Sequence, residues 1–533
     1  MSTTISPYRP PQQAGRDGFA QLLHAEWTKF RTLRGWVIAI VIAAVLIDVV
    51  ALLVPRDNNH CSASCQSHVP TGPGGEAVND SYYLVGQPLT GDGTITVRVT
   101  SLTGVIENDG GSGTPNTPQR SRGLVPWAKA GIIITDSTRP GSAYAAMMVT
   151  GSHGVRMQYN YTGDVAGLPG LVSAASARWL RLTRSGDVIT GYDSTDGRHW
   201  TEVGTARLAG LTGGVTAGMF ATSPVDFTPN FPTYAESGGG ASASVATGTF
   251  DVAELGGGTP GGRWAGQYVG ADDANFNGPQ PPSIGFRQAG GRFTVTGSGD
   301  IGPVVAGGVN SSYVAGTFAD HLLGVFIGLL IMIVIAAMFI TVEYRRGLIR
   351  TTLAASPRRG RLLAAKALVI GLLTFVLGSA AVAVGVIAGS QLARAGGTYM
   401  LPVGWLTEAR VILGTGAMLG VASVLALAVG AVLRRSVATV AAVVVAIVLP
   451  YILGVSGVLP AGASEWILRV TPAAGFAMEQ SVPQYQQVVG HYGPPDYFPL
   501  APWSGFAVLC VYAAVALGLA AWLLRRRDAG GAA

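Results

Sequence analysis

Two carboxylates near the end of a predicted strand are candidates for acid–base chemistry. Asp251 and Glu254 lie three positions apart in the segment GTFDVAEL. A glycosidase needs two carboxyl groups that flank the scissile bond and act together. Side chains three positions apart on a regular strand point to opposite faces. The pair therefore does not predict a glycosidase, and we expect no enzymatic activity from this segment.

Cysteine and histidine are combined in the segment NHCSASCQSH. Cys61 and Cys65 predict a disulfide that closes a small loop, because the topology argued below places them in an oxidising exterior compartment. The alternative is a metal site that adds His60 and His68 to the two cysteines, although the C-x3-C spacing is a weak zinc signal. The remaining cysteine, Cys510, lies in a long apolar run and is expected to pack there.

The lysines decide whether the chain could bind a nucleotide through a P-loop. The sequence has only Lys29, Lys129 and Lys366, which follow Thr, Ala and Ala. A P-loop requires the sequence G-K-[ST], so that its backbone and lysine can hold the phosphates. We therefore expect no cofactor on this chain, and any ATP and magnesium would have to be bound by a separate subunit.

The amino-acid composition indicates the class of protein in which these candidate residues lie. Of 533 residues, 48% are hydrophobic and 12% are charged, and the mean hydropathy is +0.38. Soluble proteins carry roughly 25% charged residues, so lipid-facing segments are expected. The 75 glycines and 30 prolines also require a region rich in turns. The composition predicts a membrane protein with a second, turn-rich part.

Six apolar runs are long enough to cross a bilayer core of about 30 Å as helices. They cover 36–54, 320–342, 367–391, 409–433, 437–459 and 504–524. Basic residues border the runs on one side, and this explains the net charge of +6 without nucleic acid as a partner. Asp48 in the first run either lines a polar route or reaches the nearby outer interface.

The positive-inside rule then orients the chain. Both termini are expected in the cytoplasm, and residues 55–319 are expected outside the plasma membrane of a bacterial cell. The predicted parts are a cytoplasmic segment with an amphipathic helix at 1–35, a first span at 36–54, an exterior region at 55–319, a second span at 320–342, a cytoplasmic loop at 343–366, and four spans with a short tail at 367–533.

The exterior region reads as short strands between turn signals. In TITVRVTSL, Ile95, Val97 and Val99 alternate with polar residues, as on a strand with one buried face. About nine such strands without helical patterns predict an antiparallel β-sandwich of jelly-roll type at about 80–255. Asp196-Gly197 predicts a tight hairpin. The fold of 256–319 is left open at this point.

Aromatic residues in this region have two interpretations. They either stack on sugar rings or fill the core of the sandwich. The candidates for ligand contact are Trp127, Tyr159, Tyr161, Tyr192 and Trp200.

The exterior region resembles concanavalin-like, laminin-G-like sandwiches in the segments WAKAGIIITDS, WLRLTRSGDVITGYDSTDGRHW and GTFDVAEL. Members of that superfamily often bind carbohydrate. The resemblance implies a lectin-like recognition domain, with cell-envelope carbohydrate as a candidate ligand. The E-x-D-x-x-E strand of related glucanases is absent.

The segments LLHAEWTKFRTLRGW and EYRRGLIRTTLAASPRRGRLLAAK resemble permease subunits of ABC-2-type transporters. The family pattern has an amphipathic helix before the first span and a cytoplasmic loop after the second. Through this resemblance, a set of residues is implied in contact with the ATPase. They are Glu26, Trp27, Lys29, Glu343, Tyr344, Arg345, Gly347, Ile349, Arg350, Thr351 and Thr352.

The resemblance implies a permease, in the direction of export, that works with a separate ABC ATPase subunit and with a second permease copy or paralogue in the lipid bilayer. Two alternatives remain from other classes: a membrane-anchored receptor or adhesion protein that binds carbohydrate without transport, and a membrane-bound glycosidase. The excess of arginine over lysine, with many Ala and Gly residues, is typical of an actinobacterium.

Overall fold

A computed structural model of the chain describes most of its length. The described residues are 18–53, 69–108, 119–209, 211, 213–228, 240–257, 263–270, 284–304, 315–347, 359–396, 398–456, 458–483, 485 and 498–526. They form a bundle of helices and a β-sandwich that lies in the sequence between the second and third helices.

The described residues contain helices of 10 to 37 residues. They are α1 Phe19–Thr32, α2 Arg34–Leu53, α3 Leu323–Arg345, α4 Arg359–Ala395, α5 Trp405–Leu433, α6 Ser436–Val455, α7 Ala461–Val470 and α8 Pro502–Arg526, with 3-10 turns at Ala319–Leu322 and Pro472–Glu479. Six of them, α2 to α6 and α8, are long and apolar enough to cross a membrane. These six fit a multi-pass membrane protein and correspond to the six predicted runs.

Helix α4 is the largest departure from the predicted spans. It has 37 residues and begins at Arg359, whereas the predicted run began at 367. Residues 359–366 therefore belong to a helix and not to the predicted cytoplasmic loop. Helix α3 extends through 343–345 from the other side, so only the middle of that predicted loop, 348–358, is outside the described residues.

Small residues allow close packing between α2 and α3. A Cβ built on Gly324 would lie 2.5 Å from the backbone oxygen of Ile47, and one on Gly328 would lie 2.5 Å from the Ile47 side chain. Because glycine has no side chain at these two points, the helices approach at backbone distance. The start of α3 is thereby fixed against the end of α2.

The segment between α6 and α8 returns into the bundle. Phe476, in the 3-10 turn Pro472–Glu479, packs against Phe326 of α3 at 4.8 Å and Tyr451 of α6 at 4.2 Å between ring centroids. The whole turn is buried. This turn lies between the fifth and sixth predicted apolar runs, and its return into the bundle was not predicted.

The strands range from 2 to 16 residues in length. They are β1 Val78–Asp80, β2 Tyr82–Leu89, β3 Gly93–Asn108, β4 Gln119–Arg122, β5 Lys129–Thr135, β6 Tyr144–Thr150, β7 Val155–Tyr159, β8 Gly163–Ala166, β9 Arg178–Ser185, β10 Val188–Ser194, β11 Thr201–Arg207, β12 Val215–Thr222, β13 Asp226–Thr228, β14 Gly240–Ser242, β15 Ser244–Gly257, β16 Ala265–Val269, β17 Gly285–Ala289, β18 Arg292–Gly297, β19 Ile301–Pro303, β20 Ala315–Gly316 and β21 Tyr399–Met400.

Two large antiparallel sheets make the sandwich. One has the order β11-β10-β9-β3-β15-β18-β17, with β4 paired to β3, and the other has the order β16-β2-β12-β5-β6-β7-β8. Alternate residues such as Ile95, Val97, Ile132 and Ile134 fill the space between them. The predicted antiparallel sandwich is confirmed. Its predicted range of 80–255 is too short, because β16 to β18 extend both sheets beyond that point.

A second, smaller core covers the other face of the seven-stranded sheet. Strands β1 and β19 pair with each other across this face. Val78 and Ile301 from these strands pack on Tyr82, Tyr144 and further residues of the sheet. The two chain segments that connect the sandwich to the bundle are therefore folded onto the sandwich itself.

The sandwich and the bundle meet at a small joint. Strand β20 pairs with β21, which follows α4. Ala77 and Val304 from the sandwich side form an apolar cluster with Leu401 and Val482 from the bundle side. This joint lies at the end of the bundle where α2 ends and α3 begins.

Candidate functional site

Four charged side chains meet at the opposite end of the bundle. The Lys366 ammonium donates to Glu26 Oε2 at 2.6 Å and to Glu343 Oε1 at 2.7 Å. The Lys29 ammonium donates to Glu26 Oε1 at 2.7 Å and lies 3.5 Å from Glu343 Oε1. We call Glu26, Lys29, Glu343 and Lys366 the ion-paired quartet. It joins α1, the end of α3 and the start of α4.

The local sequence explains why each member points inward. Glu26 and Phe30 lie four positions apart on α1 and form its buried face. Lys366 lies on the buried face of α4, and its ammonium is 4.5 Å from the centroid of the Phe339 ring. Phe30 packs against the same Phe339 ring at 5.8 Å. Apolar packing thus brings the charges together.

Electrostatics make the quartet dependent on its buried members. Its formal charge is zero, with two ammonium groups and two carboxylates. The side chains of Lys366 and Glu26 are fully buried, while Lys29 is 40% exposed. Burial lowers the pKa of Lys29, but the two carboxylates raise it by more, so the net direction is upward. Removing one partner of a buried pair leaves an uncompensated charge, which is strongly destabilising.

The predicted coupling residues do not form one exposed surface. Glu26 and Glu343 are buried within the chain, so their side chains are not available to a partner. Trp27 is 40% exposed, and Arg345 and Gly347 are exposed. Tyr344 is half-buried below Arg434, whose guanidinium carbon lies 5.0 Å from the ring centroid. Ile349, Arg350, Thr351 and Thr352 lie outside the described residues.

Lys366 was missed as a site residue by the sequence analysis. A signal was available, because a lone lysine beside an apolar run is unusual in a chain that otherwise uses arginine. The partner residues could not have been identified, since Glu26 is 340 positions away. Asp48, by contrast, is half-buried on α2, and its Oδ1 has no hydrogen-bond partner among the described residues.

The outer face of the eight-stranded sheet is the second candidate site. Strand register places Tyr192, Arg181, Thr96 and Glu254 in one row across four strands. Arg181 donates to the Thr96 hydroxyl at 3.1 Å, and its guanidinium stacks on Trp200 at 3.8 Å from the ring centroid. We call this row, with Trp200, the open face. It presents flat aromatic rings beside fixed hydrogen-bonding groups.

The structure separates the five aromatic candidates. Trp127 and Tyr161 are 2% and 0% exposed, so for these two the structure agrees with the second interpretation, a place in the protein interior. Tyr159 is half-buried on β7 of the seven-stranded sheet. Only Tyr192 and Trp200 lie together on the open face.

Strand β15 does not place Asp251 and Glu254 on opposite faces. Strand β15 has register shifts on both sides of Phe250, so it is not a regular strand. Asp251 pairs with Arg98 at 2.7 Å, and Glu254 lies opposite Thr96. Both carboxylates are therefore on the outer face of the sheet, and the prediction of opposite faces is wrong. Asp251 is bound in an ion pair with Arg98.

The turn beside the open face is held by Asp196. Its Oδ1 accepts the backbone N–H groups of Arg198 and His199, each at 2.8 Å, and its Oδ2 contacts His199 Nδ1 at 2.6 Å. These bonds lower the pKa of Asp196, and the same contact raises the pKa of His199. Gly197 has φ of 72°, but Asp196 is not among the residues with positive φ. Six residues, 195–200, separate β10 from β11, so the connection is a longer loop and not the predicted tight hairpin.

A buried polar group secures the connecting strands on the sandwich. The Lys129 ammonium donates to Asp300 Oδ1 at 2.8 Å and to the Ile301 carbonyl at 2.6 Å. Nearby, Asp80 Oδ2 accepts from the Tyr161 hydroxyl at 2.7 Å and the Gly141 N–H at 2.9 Å. Burial raises the pKa of Asp80 to about 7, against the lowering effect of these two bonds.

The predicted disulfide and its metal alternative lie outside the described residues, because 54–68 contain Cys61, Cys65, His60 and His68. Across the residues that the structure describes, no group of three or more His, Cys, Asp or Glu side chains could hold a metal ion. Cys510 is a half-buried free thiol on α8.

Comparison with known proteins adds only a likeness of shape. No family model matches the sequence, and no curated protein matches it. Solved structures that are similar over part of the chain include a functionally unknown protein from Saccharomyces cerevisiae, at 16% identity over 37% of this chain and 85% of that chain, with a TM-score of 0.23.

Two others are a GH43 protein from Bacillus licheniformis, at 15% identity over 33% of this chain and 27% of that chain with a TM-score of 0.16, and scytalido-glutamic peptidase, at 9% identity over 42% of this chain and 100% of that chain with a TM-score of 0.24. At these scores the likeness carries no conclusion about activity.

Proposed function

We propose that the chain is the membrane-spanning permease subunit of an ATP-driven, ABC-2-type transporter. The observation that carries the proposal is the ion-paired quartet, which fastens the amphipathic helix α1 to the ends of α3 and α4. A force applied to α1 would reach two spanning helices through short bonds in a buried site. Such a connection suits a subunit that receives motion from a partner.

The distribution of arginines supports the orientation. Arg345, Arg359, Arg434 and Arg525 lie at the end of the bundle that holds the quartet, and we call this the basic end. The sandwich is attached at the opposite end. By the positive-inside rule the basic end faces the cytoplasm, and the sandwich is exterior.

The partner would be an ABC ATPase that binds ATP and magnesium. Trp27 and Arg345 are exposed beside the quartet, so they are available to it. A second permease copy or paralogue would complete the transport pathway. In this arrangement Glu26 and Glu343 act through the position of α1 and not through direct contact.

Co-purification tests this proposal. An ATPase subunit should be recovered with the full-length chain from membranes of its own host in mild detergent. Arg345→Glu should weaken that recovery, because it reverses an exposed charge beside the quartet. Arg469→Glu is the matched control, since Arg469 lies on α7 at the opposite end. Absence of any ATPase would favour the alternative of a membrane-anchored receptor.

Labelling on intact cells tests the orientation separately. A cysteine at Arg198, which is exposed in the sandwich, should react with an impermeant thiol reagent. One at Arg361, exposed at the basic end, should not. The parent protein, which keeps its own cysteines, gives the background. The reverse pattern of labelling would contradict the exterior sandwich.

For the sandwich we propose recognition of envelope carbohydrate without catalysis. Trp200 and Tyr192 on the open face supply rings for stacking, and Arg181, which is held by its bond to the buried Thr96, supplies a polar contact. Trp200→Ala should abolish binding of cell-wall polysaccharide to the full-length protein. Trp466→Ala, an exposed tryptophan on α7, is the control. Sugar release that depends on Asp251 or Glu254 would instead show a glycosidase.

A further inference from the structure

Helix α7 connects α6 to the buried 3-10 turn Pro472–Glu479, at the end of the bundle opposite the basic end. Helix α6 begins beside Arg434 and Arg435 at the basic end, so the chain has crossed the bundle before α7 starts. The far end of α7 contacts α8, where the Tyr512 hydroxyl donates to the carbonyl oxygen of Val470 at 2.8 Å. Helix α7 is therefore positioned by both α6 and α8.

Two sides of α7 have clear partners. Leu468 is buried and packs on α6, where a Cβ built on Gly454 would lie 2.6 Å from its side chain. Glu465 and Arg469, which lie one turn apart, form an exposed ion pair at 3.0 Å. The first side is fixed to the bundle, and the second is polar enough to face water or lipid headgroups.

The third side of α7 is apolar and exposed. Trp466 and Val470, one turn apart, are 66% and 44% exposed, and Ala463 beside them is exposed as well. Because successive residues of a helix are rotated by about 100°, this side lies opposite Leu468 and points away from the bundle. Removal of such side chains from water is favourable, so an apolar environment is expected here.

Two tryptophans of α8 indicate the level of α7 in a bilayer. Trp503 and Trp522 are both exposed and lie about 28 Å apart along the helix axis. This separation matches the thickness of a bilayer core, about 30 Å, and tryptophan is enriched at the two boundaries of that core. Tyr512, which contacts the end of α7, follows Trp503 along α8 toward the basic end. The end of α7 therefore lies on the core side of the boundary that Trp503 marks.

The helices next to α7 already expose aliphatic side chains near their contacts with it. Ile452 of α6 is close in sequence to Gly454, and Val511 of α8 is adjacent to Tyr512, and both are exposed. Both belong to helices that are long and apolar enough to span a membrane. The surroundings of α7 are therefore suited to lipid.

We propose that α7 is an interfacial helix that lies in the boundary layer of the lipid leaflet next to the sandwich. Trp466 and Val470 contact the upper part of the acyl chains, and Glu465 and Arg469 contact water and headgroups. A helix with separate apolar and charged sides is suited to lie in the plane of the membrane surface. The leaflet then supports from outside the segment that returns into the bundle.

The proposal requires only that the six long apolar helices cross a bilayer. It does not depend on an ATPase partner, on transport or on the ligand of the sandwich. It therefore fails or succeeds independently of the proposed function.

Spin labelling of the full-length protein in phosphatidylcholine vesicles tests this placement. Single cysteines replace residues of α7, and each label is measured for its accessibility to oxygen, which concentrates in lipid, and to a water-soluble nickel chelate. Labels in Trp466→Cys and Val470→Cys should be accessible to oxygen and should lose accessibility to nickel. Labels in Glu465→Cys and Arg469→Cys should show the reverse.

Two further positions calibrate the measurement. Val445→Cys, on the exposed side of α6 near its middle, gives the value for lipid, and Arg198→Cys, exposed in the sandwich, gives the value for water. The parent protein, labelled in the same way, gives the background from its own cysteines. Ala463→Cys covers the case in which loss of Trp466 disturbs α7, because it changes only a small side chain and should also give the lipid value.

Two results would overturn the proposal. Nickel accessibility at positions 466 and 470 equal to that in the sandwich would show that this side of α7 faces water. Protection from both oxygen and nickel at these positions would show that a protein surface, such as a second copy of the chain, covers it instead of lipid.

Discussion

The two buried lysines of this chain, Lys366 in the bundle and Lys129 in the sandwich, have different surroundings. Lys366 holds two carboxylates that come from two other helices. Lys129 holds one carboxylate, from Asp300, and one backbone carbonyl, from Ile301, both at the start of β19. The first is a junction of three elements, and the second fastens one segment to a sheet.

The choice of lysine at both sites is informative because the chain otherwise uses arginine. Lysine carries a compact charge with three donors that can point in separate directions, whereas arginine presents a planar fork. Lys129 is 1% exposed. A compact ammonium fits among converging oxygens in these buried sites. Lysine in this sequence therefore marks a point where separate segments are joined.

Replacing Lys366 should have the largest effect. Lys366→Met leaves Glu26 and Glu343 buried with only the half-exposed Lys29, and the stability should fall by about 3–5 kcal/mol. Helix α1 should also become accessible to protease. Thermal unfolding and limited proteolysis of the full-length protein in detergent measure both effects. The triple variant with Glu26→Gln and Glu343→Gln is the control and should recover much of the loss. A single variant as stable as the parent would contradict the role of the quartet.

Replacing Lys129 should have a similar but smaller effect, because only one carboxylate is stranded. Lys129→Met should lower the stability of the sandwich by about 3 kcal/mol, as followed by tryptophan fluorescence during unfolding. Adding Asp300→Asn removes the stranded charge and should restore most of the loss. Equal destabilisation by Lys129→Met and Lys366→Met would show that the number of stranded carboxylates does not determine the loss of stability.

Asp80 shows how a buried carboxylate behaves without a lysine. It lies next to the Lys129 site and has no lysine partner among the described residues. Its pKa is raised to about 7 in the folded chain, so the folded state binds a proton more readily than the unfolded state. Stability should therefore be highest near pH 4 and fall as the pH rises toward 7. Asp80→Asn should remove this pH dependence and stabilise the sandwich above pH 7 by on the order of 2 kcal/mol. Each unit of pKa shift corresponds to about 1.4 kcal/mol, and relaxation of the surrounding groups reduces the full effect.

The measurement for Asp80 is the unfolding temperature of the sandwich between pH 4.5 and 8. Asn keeps an oxygen that accepts from Tyr161 and Gly141, so the variant tests charge and not the loss of a bond. A parent protein whose stability rises between pH 5 and 7 would contradict the expected sign.

The smallest effect is expected for Lys29, which contacts the same two carboxylates as Lys366. Its side chain is 40% exposed, and exposed pairs contribute roughly 0–1 kcal/mol. Lys29→Met should therefore lower the unfolding temperature only slightly. A loss as large as that of Lys366→Met would show that burial does not determine which lysine holds the quartet together.

The sequence predicted the apolar helices and the sandwich well, because both depend on local patterns of hydrophobic residues. Six helices lie at the six predicted runs, and residues such as Ile95 and Val97 are buried as their alternation indicated. Strands β16 and β17 lie in a Gly-rich stretch without clear alternation, so their place in the sheets depends on neighbours far away in sequence. In β18, by contrast, Phe293 and Val295 alternate with Thr294 and Thr296.

The candidate sites were less predictable for related reasons. The contact of Glu26 with Lys366 joins positions that no local pattern connects. The bulge in β15 moved Asp251 to an unexpected face, because one extra residue reverses the alternation of a strand. Trp127 and Tyr161 have residue types common to cores and binding surfaces, and only tertiary packing distinguishes the two.

His321 holds together the two points at which the sandwich is connected to the helices. Its Nδ1–H donates to the carbonyl oxygen of Ala51 at 3.1 Å, so the last turn of α2 and the residues before α3 are adjacent. The chain leaves the bundle at the end of α2 and returns to it beside the same point. The separation of these two ends is one that a short hairpin could also bridge. Insertions at such positions are tolerated because the rest of the fold is undisturbed. The sandwich therefore has the attachment geometry of a domain inserted between two consecutive helices.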